Sequence, residues 1–311
     1  MTKIKKIISF VISIAVIIFI LINYNKIQSK FSEYINNLKE DRTVKILPGN
    51  EYTRNYEYKY LSNSKDYVPY SNEDLINIVY GVLNQGWDEF TFYCPRKYED
   101  CIEDVRKLSN NDEYLSHINN YVNPYNSYSS LKTIYDDTGM VTLEVNHLYT
   151  KEEIEKDNKV IDEIIKNNIK EGMTDTEKIR AIHDYIINNT KYDTKRAEKK
   201  DSPYDSARIQ GLLFEHFATC SGYSDTMAVI LDKLNIPNYK VSSDNHVWNA
   251  VYIDGKWRHL DLTWDDPVNS TGPDTLEYNY FLIDTDKLLD IDKKNQHVFN
   301  QDVYLEFKKE A

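Results

Sequence analysis

Residues 220–266 read CSGYSDTMAVILDKLNIPNYKVSSDNHVWNAVYIDGKWRHLDLTWDD, and their patterning decides the fold class. After Cys220, the residues Tyr223, Met227, Ile230, Leu231 and Leu234 recur at helical spacing, and Ile236-Pro237 ends the run. Cys220 therefore stands at a helix N-terminus, where the dipole and the free backbone N–H groups favour a thiolate and an oxyanion. Two β-rich segments follow, Asn245–Ile253 and Lys256–Trp264, joined by the two-residue turn signal Asp254-Gly255. That turn pairs Ile253 with Lys256, and the same register sets His246 opposite Thr263. Because side chains alternate, Asp261 shares the face of Thr263 and His246 and becomes the diagonal neighbour of His246. Asp265 has the same parity and is the rival carboxylate. Asp266 points away unless a bulge intervenes.

A free cysteine is more often an inert small hydrophobe than a nucleophile. An Asp–His pair alone is an ordinary cross-strand contact. Together, in the order Cys220, His246, Asp261, they are the groups that activate a thiol. The imidazole takes the thiol proton, and the carboxylate fixes its tautomer and stabilises the imidazolium.

The segment resembles the catalytic core of the transglutaminase-like superfamily, in its bacterial branch. The matching pieces are Cys220-Ser221-Gly222-Tyr223, His246-Val247-Trp248-Asn249, Asp254-Gly255-Lys256-Trp257 and Asp261-Leu262-Thr263-Trp264-Asp265-Asp266. The resemblance runs from about 174 to 284 and includes Tyr280-Phe281-Leu282 as a strand after the site. It implies an α+β, papain-like core, with the helix bearing the cysteine packed on an antiparallel sheet. It also implies that Cys220 is the nucleophile, His246 the general base and acid, and Asp261 the residue that orients it. A glycine common in the family four residues before the nucleophile is His216 here. Trp248 and Trp264 flank the inferred site, either to exclude water from it or as core aromatics. Tyr223 and Asp265 are further substrate-site candidates, and His259 and His183 read as structural.

Outward from this core, the chain reads as a series of accessory parts. Thr174 and Glu177 form a capping box for a helix with the stripe Ile179, Ile182, Ile186, and a helix from Lys151 precedes it. Residues 66–150 read as a small α+β domain and 151–311 as the transglutaminase-like domain. In the small domain, Ser71 caps a helix that Gly86 stops, EFTFYC is a strand, and Lys97–Leu108 and Tyr114–Tyr121 are helical. Leu131–Tyr135 and Met140–Tyr149 form a hairpin there. Cys94 and Cys101 are near enough in sequence to bridge, or are simply buried; geometry decides between the two.

Residues 26–65 lack a sustained apolar period and read as a stalk. Ahead of them, Lys3, Lys5 and Lys6 precede an uncharged run from Ile7 to Ile22, read as an uncleaved transmembrane signal anchor within 1–25. The lysines place the N-terminus in the cytoplasm and the body outside.

The formal net charge of −12 argues against a nucleic-acid partner. With 26 tyrosines and only 9 glycines, the composition is that of a packed domain and not of a disordered chain. No CxxC pair or calcium loop is present, so neither a metal nor another cofactor is expected. The functional expectation is a membrane-anchored extracellular thiol acyltransferase or amidase acting on protein or peptide at the cell surface. The alternatives are a cysteine peptidase and a surface module with a silent triad.

Overall fold

In the computed structural model, which describes residues 10, 19–21, 23–31, 44–267 and 275–308, the helix and strand boundaries follow the capping chemistry closely. Helix α1 (Asn72–Gln85) begins with Ser71 accepting the N–H of Asp74 and ends at Gly86, whose φ of 67° few other residues adopt cheaply. Strand β1 (Glu89–Tyr93), helices α2 (Cys101–Ser109) and α3 (Asp112–Asn120), and strands β2 (Tyr128–Tyr135) and β3 (Met140–His147) follow. They form an antiparallel sheet in the order β1-β3-β2 with helices against it. Helix α2 starts four residues later than Lys97, because Pro95 sets a turn there in which Tyr98 N–H bonds Pro95 O. Cys94 and Cys101 are joined as a disulfide, with Cα atoms 5.8 Å apart.

Helices α4 (Lys151–Asn168) and α5 (Asp175–Asn189) each open with a complete capping box, Thr150 with Glu153 and Thr174 with Glu177. Strand β4 (Lys191–Tyr192), helix α6 (Thr194–Ala197) and strand β5 (Phe217–Ala218) lead to helix α7 (Cys220–Lys233). Next come β6 (Asn238–Ser242), β7 (Val247–Ile253) and β8 (Lys256–Leu260), antiparallel in that order. Helices α8 (Leu262–Asp265) and α9 (Thr285–Ile291) complete the elements used below.

The β6-β7-β8 sheet is covered on both faces. Trp248 and Ala250 belong to one apolar cluster, together with Tyr239, Tyr58, Tyr304 and Phe307. Their strand neighbours Val251 and Ile253 belong to the other, together with Met227, Ile230 and Leu231 of α7. Alternation thus sends odd and even residues of β7 into different cores, and five of the strand's seven residues are buried. Polar anchors then fix the helix on the sheet. Lys240 Nζ meets Asp225 Oδ1 at 2.6 Å, and Asn249 Nδ2 donates to Ser224 O at 2.9 Å.

Several expectations need correction. The stalk does not extend to residue 65, because Arg54, Tyr58 and Leu61 are buried against the body. Tyr58 donates to Asn238 O, which ties that segment to β6. The expected division at residue 150 separates no cores, since one cluster takes in residues from Tyr58 to Val145 and from Tyr239 to Phe307. Tyr280-Phe281-Leu282 is no strand. A single bridge between Ile283 and His259 stands there, and Leu282 adopts φ 51°, which breaks extended pairing. The uncharged run at 7–22 falls mostly outside the described residues. Among those described, no helix is long and apolar enough to cross a membrane.

Candidate active site

The hairpin register is the one the Asp254-Gly255 turn dictates, with Ile253 opposite Lys256 and Asn249 opposite Leu260. Pairing stops at Leu260, earlier than Trp264. Asp261 ends the strand by turning its own side chain back as an N-cap, with Oδ1 accepting the N–H groups of Thr263 and Trp264 at 2.9 and 3.3 Å. The expected diagonal contact across a continued ladder is thereby replaced by a shorter route. His246, one residue ahead of β7, places Nε2 2.6 Å from Asp261 Oδ2.

Cys220 is the first residue of α7, the free thiol of the described chain, and partly exposed. Its helix end is held by Thr219, whose N–H bonds Ser206 O at 2.7 Å. Gly222 permits that approach, since a Cβ there would lie 2.5 Å from Ser206 O. The Cys-Ser-Gly-Tyr run is therefore a packing requirement as well as a chemical one. The imidazole of His246 also feels the Cys220 side chain, whose interaction with it favours the protonated ring. With Nε2 on the carboxylate, Nδ1 is the ring nitrogen left for sulfur.

Electrostatics follow from burial and these contacts. Burial pushes the His246 imidazole down, but the Asp261 carboxylate, and after it Cys220, overcome this and push it up to about 10. Burial alone would raise Asp261, yet the adjoining His246 and His297 hold it well below the usual carboxylate range. The imidazolium is thus the favoured form of His246, as a thiolate partner requires.

The other sequence candidates separate. Asp265 is not beside His246; α8 turns it inward, where Oδ2 meets His183 Nε2 at 3.1 Å and both side chains are fully buried. Tyr223 is buried, its hydroxyl donating to Asp266, which lines the same cleft as His246. Trp248 is buried, stacked 5.7 Å under His246, with Nε1 donating to His259 Nδ1 at 3.0 Å. Trp264 is half-buried and lines a cleft of about 590 Å³ with His246, Tyr192, Asn279, Lys294 and Gln296. Lys294 Nζ lies 5.2 Å over the Trp264 ring.

One residue escaped sequence reading altogether. His297, fully buried, places Nε2 2.8 Å from the same Asp261 Oδ2. It lies in an irregular segment with no periodic signal, and its only sequence mark was being an unexplained histidine. Ligand-type atoms of His246, Asp261 and His297 lie within 4.8 Å of one another, and here the two ring nitrogens share hydrogen bonds to one oxygen.

A helix-borne thiol, an imidazole and a buried carboxylate against an antiparallel sheet define a cysteine-enzyme site of papain-like type. Residues 163–262 match the family model of the Transglutaminase-like superfamily, so the chain carries a transglutaminase-like domain. It is similar to kyphoscoliosis peptidase of Homo sapiens, 28% identical over 143 residues, covering 39% of this chain and 21% of the relative. The Mus musculus protein of that name is 27% identical over the same shares. The chain therefore spans about a fifth of the length of these curated relatives. A solved structure of a TGase aligns over 47% of each chain, at 19% identity and a TM-score of 0.35.

Proposed function

We propose that the chain is a thiol acyltransferase or amidase that attacks a carboxamide or peptide carbonyl and passes through a thioester. The observation that carries this reading is His246 bonded to Asp261 Oδ2 at 2.6 Å, with its ring raised toward the imidazolium by Asp261 and by Cys220 at a helix N-terminus. In the first half-reaction Cys220 sulfur bonds the carbonyl carbon, the C–N bond breaks, and the His246 proton goes to the departing amine or ammonia. In the second, an amine or water loses its proton to His246 as it attacks the thioester, and the thiolate returns. Backbone N–H groups at the start of α7 face the developing oxyanion.

The substrate is protein or peptide at the cell surface, with the chain anchored by its N-terminal run and the catalytic domain outside. The three lysines before that run support this orientation, and so does the Cys94–Cys101 disulfide, which persists in oxidising compartments. The peptidase named among the curated relatives favours a second reading, peptide cleavage by the same thioester route. Incubation with a glutamine-containing protein and a fluorescent primary amine separates the outcomes. Amine incorporation marks a crosslinker, ammonia release a deamidase, and new N-termini a peptidase. Any signal that persists in Cys220→Ala sinks the reading it represents. Absence of all three leaves a surface module with a silent triad.

A further inference from the structure

Asp261 Oδ2 accepts two imidazole donors, His246 Nε2 at 2.6 Å and His297 Nε2 at 2.8 Å. Its Oδ1 is already fixed by the N–H groups of Thr263 and Trp264. The backbone therefore places the carboxylate, and His297 is not needed to hold it there. What a second donor on the same oxygen does is draw off part of the charge that stabilises the His246 imidazolium. His297 is rigid in this role. Its ring stacks on Tyr280 at 5.1 Å and meets Trp248 and Trp264 edge-on, at 4.9 and 5.4 Å. Its Nδ1 lies 3.4 Å from Asp292 Oδ1 but without hydrogen-bond geometry, so Nε2 is the nitrogen that carries the bonded proton.

We propose that His297, contributed from beyond the family-matched residues 163–262, is a positioning residue that acts through Asp261 to limit how tightly the carboxylate holds the His246 proton. This rests on the acyl-transfer reading. A general acid must give its proton up as the leaving group departs, and an imidazolium held too firmly does so slowly. Sharing Oδ2 keeps the His246 imidazolium in place while leaving its proton transferable. Other titratable groups face this chain. Asp292 stands behind His297, Tyr280 lies on its ring, and His259 is reached across Trp248. Asp265 and Tyr192 face Asp261, and Tyr192 also faces Cys220. None of them donates to Oδ2 among the described residues.

The test needs no substrate, because Cys220 is the free thiol and its alkylation by iodoacetamide reports the ion pair directly. The full chain is alkylated across pH as wild type, His297→Asn, His297→Leu and His297→Gln. The amide of Gln reaches the Nε2 position, whereas that of Asn reaches only Nδ1. Expected is an alkaline inflection that moves up by about half a pH unit or more in the Asn and Leu variants, with the acidic inflection unmoved or slightly raised. The Gln variant stays near wild type. An alkaline inflection unchanged in all variants, with only thermal stability altered, overturns the proposal, and so does one that moves down. Nitrogen-15 NMR of the wild type adds a readout free of variants, because a His297 protonated only at Nδ1 overturns it as well. A wild-type thiol with one ordinary alkaline inflection instead sinks the acyl-transfer reading, a result distinguishable from either.

Discussion

Arg54 Nη2 lies 2.8 Å from Asp232 Oδ2, joining the segment ahead of α1 to the far end of the helix that carries Cys220. The same guanidinium donates to Tyr121 O and Asn238 Oδ1, so all three regions meet on one buried cation. Removing one partner of such a pair leaves the other uncompensated. Arg54→Ala is expected to cost roughly 3–5 kcal/mol, read as a lower urea midpoint at unchanged slope. A loss below about 1 kcal/mol would show that residues 50–62 lean on the body without supporting it.

His246 makes both activity and stability depend on pH. Its folded value, about 10, is raised from an ordinary 6.5. The stability it contributes is therefore fully present below about pH 6.5 and is lost as pH rises through 10. Thermal melts of wild type and His246→Gln should accordingly converge between those values. Asp261→Asn removes the charge that holds the imidazolium, and kcat/KM should fall by roughly 10²- to 10⁴-fold. Retention of more than a tenth of activity would take Asp261 out of the proposed chemistry.

Asp157 is a misplaced charge. It is fully buried in α4, Oδ2 accepts from Gln210 Nε2 at 2.8 Å, and Oδ1 has no hydrogen-bond partner among the described residues. Burial, and then Glu153, push its carboxyl up to about 7. Since the folded state binds this proton more tightly, a penalty develops as pH rises from 3.8 and is complete above 7. Asp157→Asn should thus stabilise by on the order of 2 kcal/mol at pH 8 and by little at pH 4. An equal gain at both values would assign the effect to packing instead.

His216 occupies left-handed backbone, φ 60° and ψ 30°, at the end of the turn that delivers β5 and Cys220. The glycine common here in the family resemblance has a physical reason: a Cβ in that region costs about 1–2 kcal/mol, part of which glycine returns as chain entropy. The side chain is exposed and leaves no cavity. His216→Gly should stabilise the fold by up to about 1 kcal/mol, seen as a higher melting temperature, with alkylation of Cys220 unaltered. A fall would mean that the imidazole makes a contact stronger than this strain.

Local chemistry was legible in the sequence, and long-range closure was not. Ser71, Gly86, Thr174 and the Asp254-Gly255 turn act within a few residues of themselves, so their helices and register could be read directly. Asp261 was found by a ladder that stops one residue before it. Its capping role and its contact with His246 depend on the same turn out of the strand. Asp265 shows the limit of parity, because helix α8 rotates it toward His183 once pairing ends. Arg54 and His297 lay beyond reach for another reason. Each comes from an irregular segment, and its partners, 178 and 36 residues away, are fixed only by tertiary packing.

The placement of Trp248 directly beneath His246, rings 5.7 Å apart and inclined by 18°, has an optical consequence. A protonated imidazole quenches indole emission at contact, whereas the neutral ring does so weakly. Trp248 thus reports protonation among the rings around it, His246 at 5.7 Å, His297 at 4.9 Å and His259 on its Nε1, and the His246 proton is the one that the chemistry proposed for Cys220 must hand over and take back.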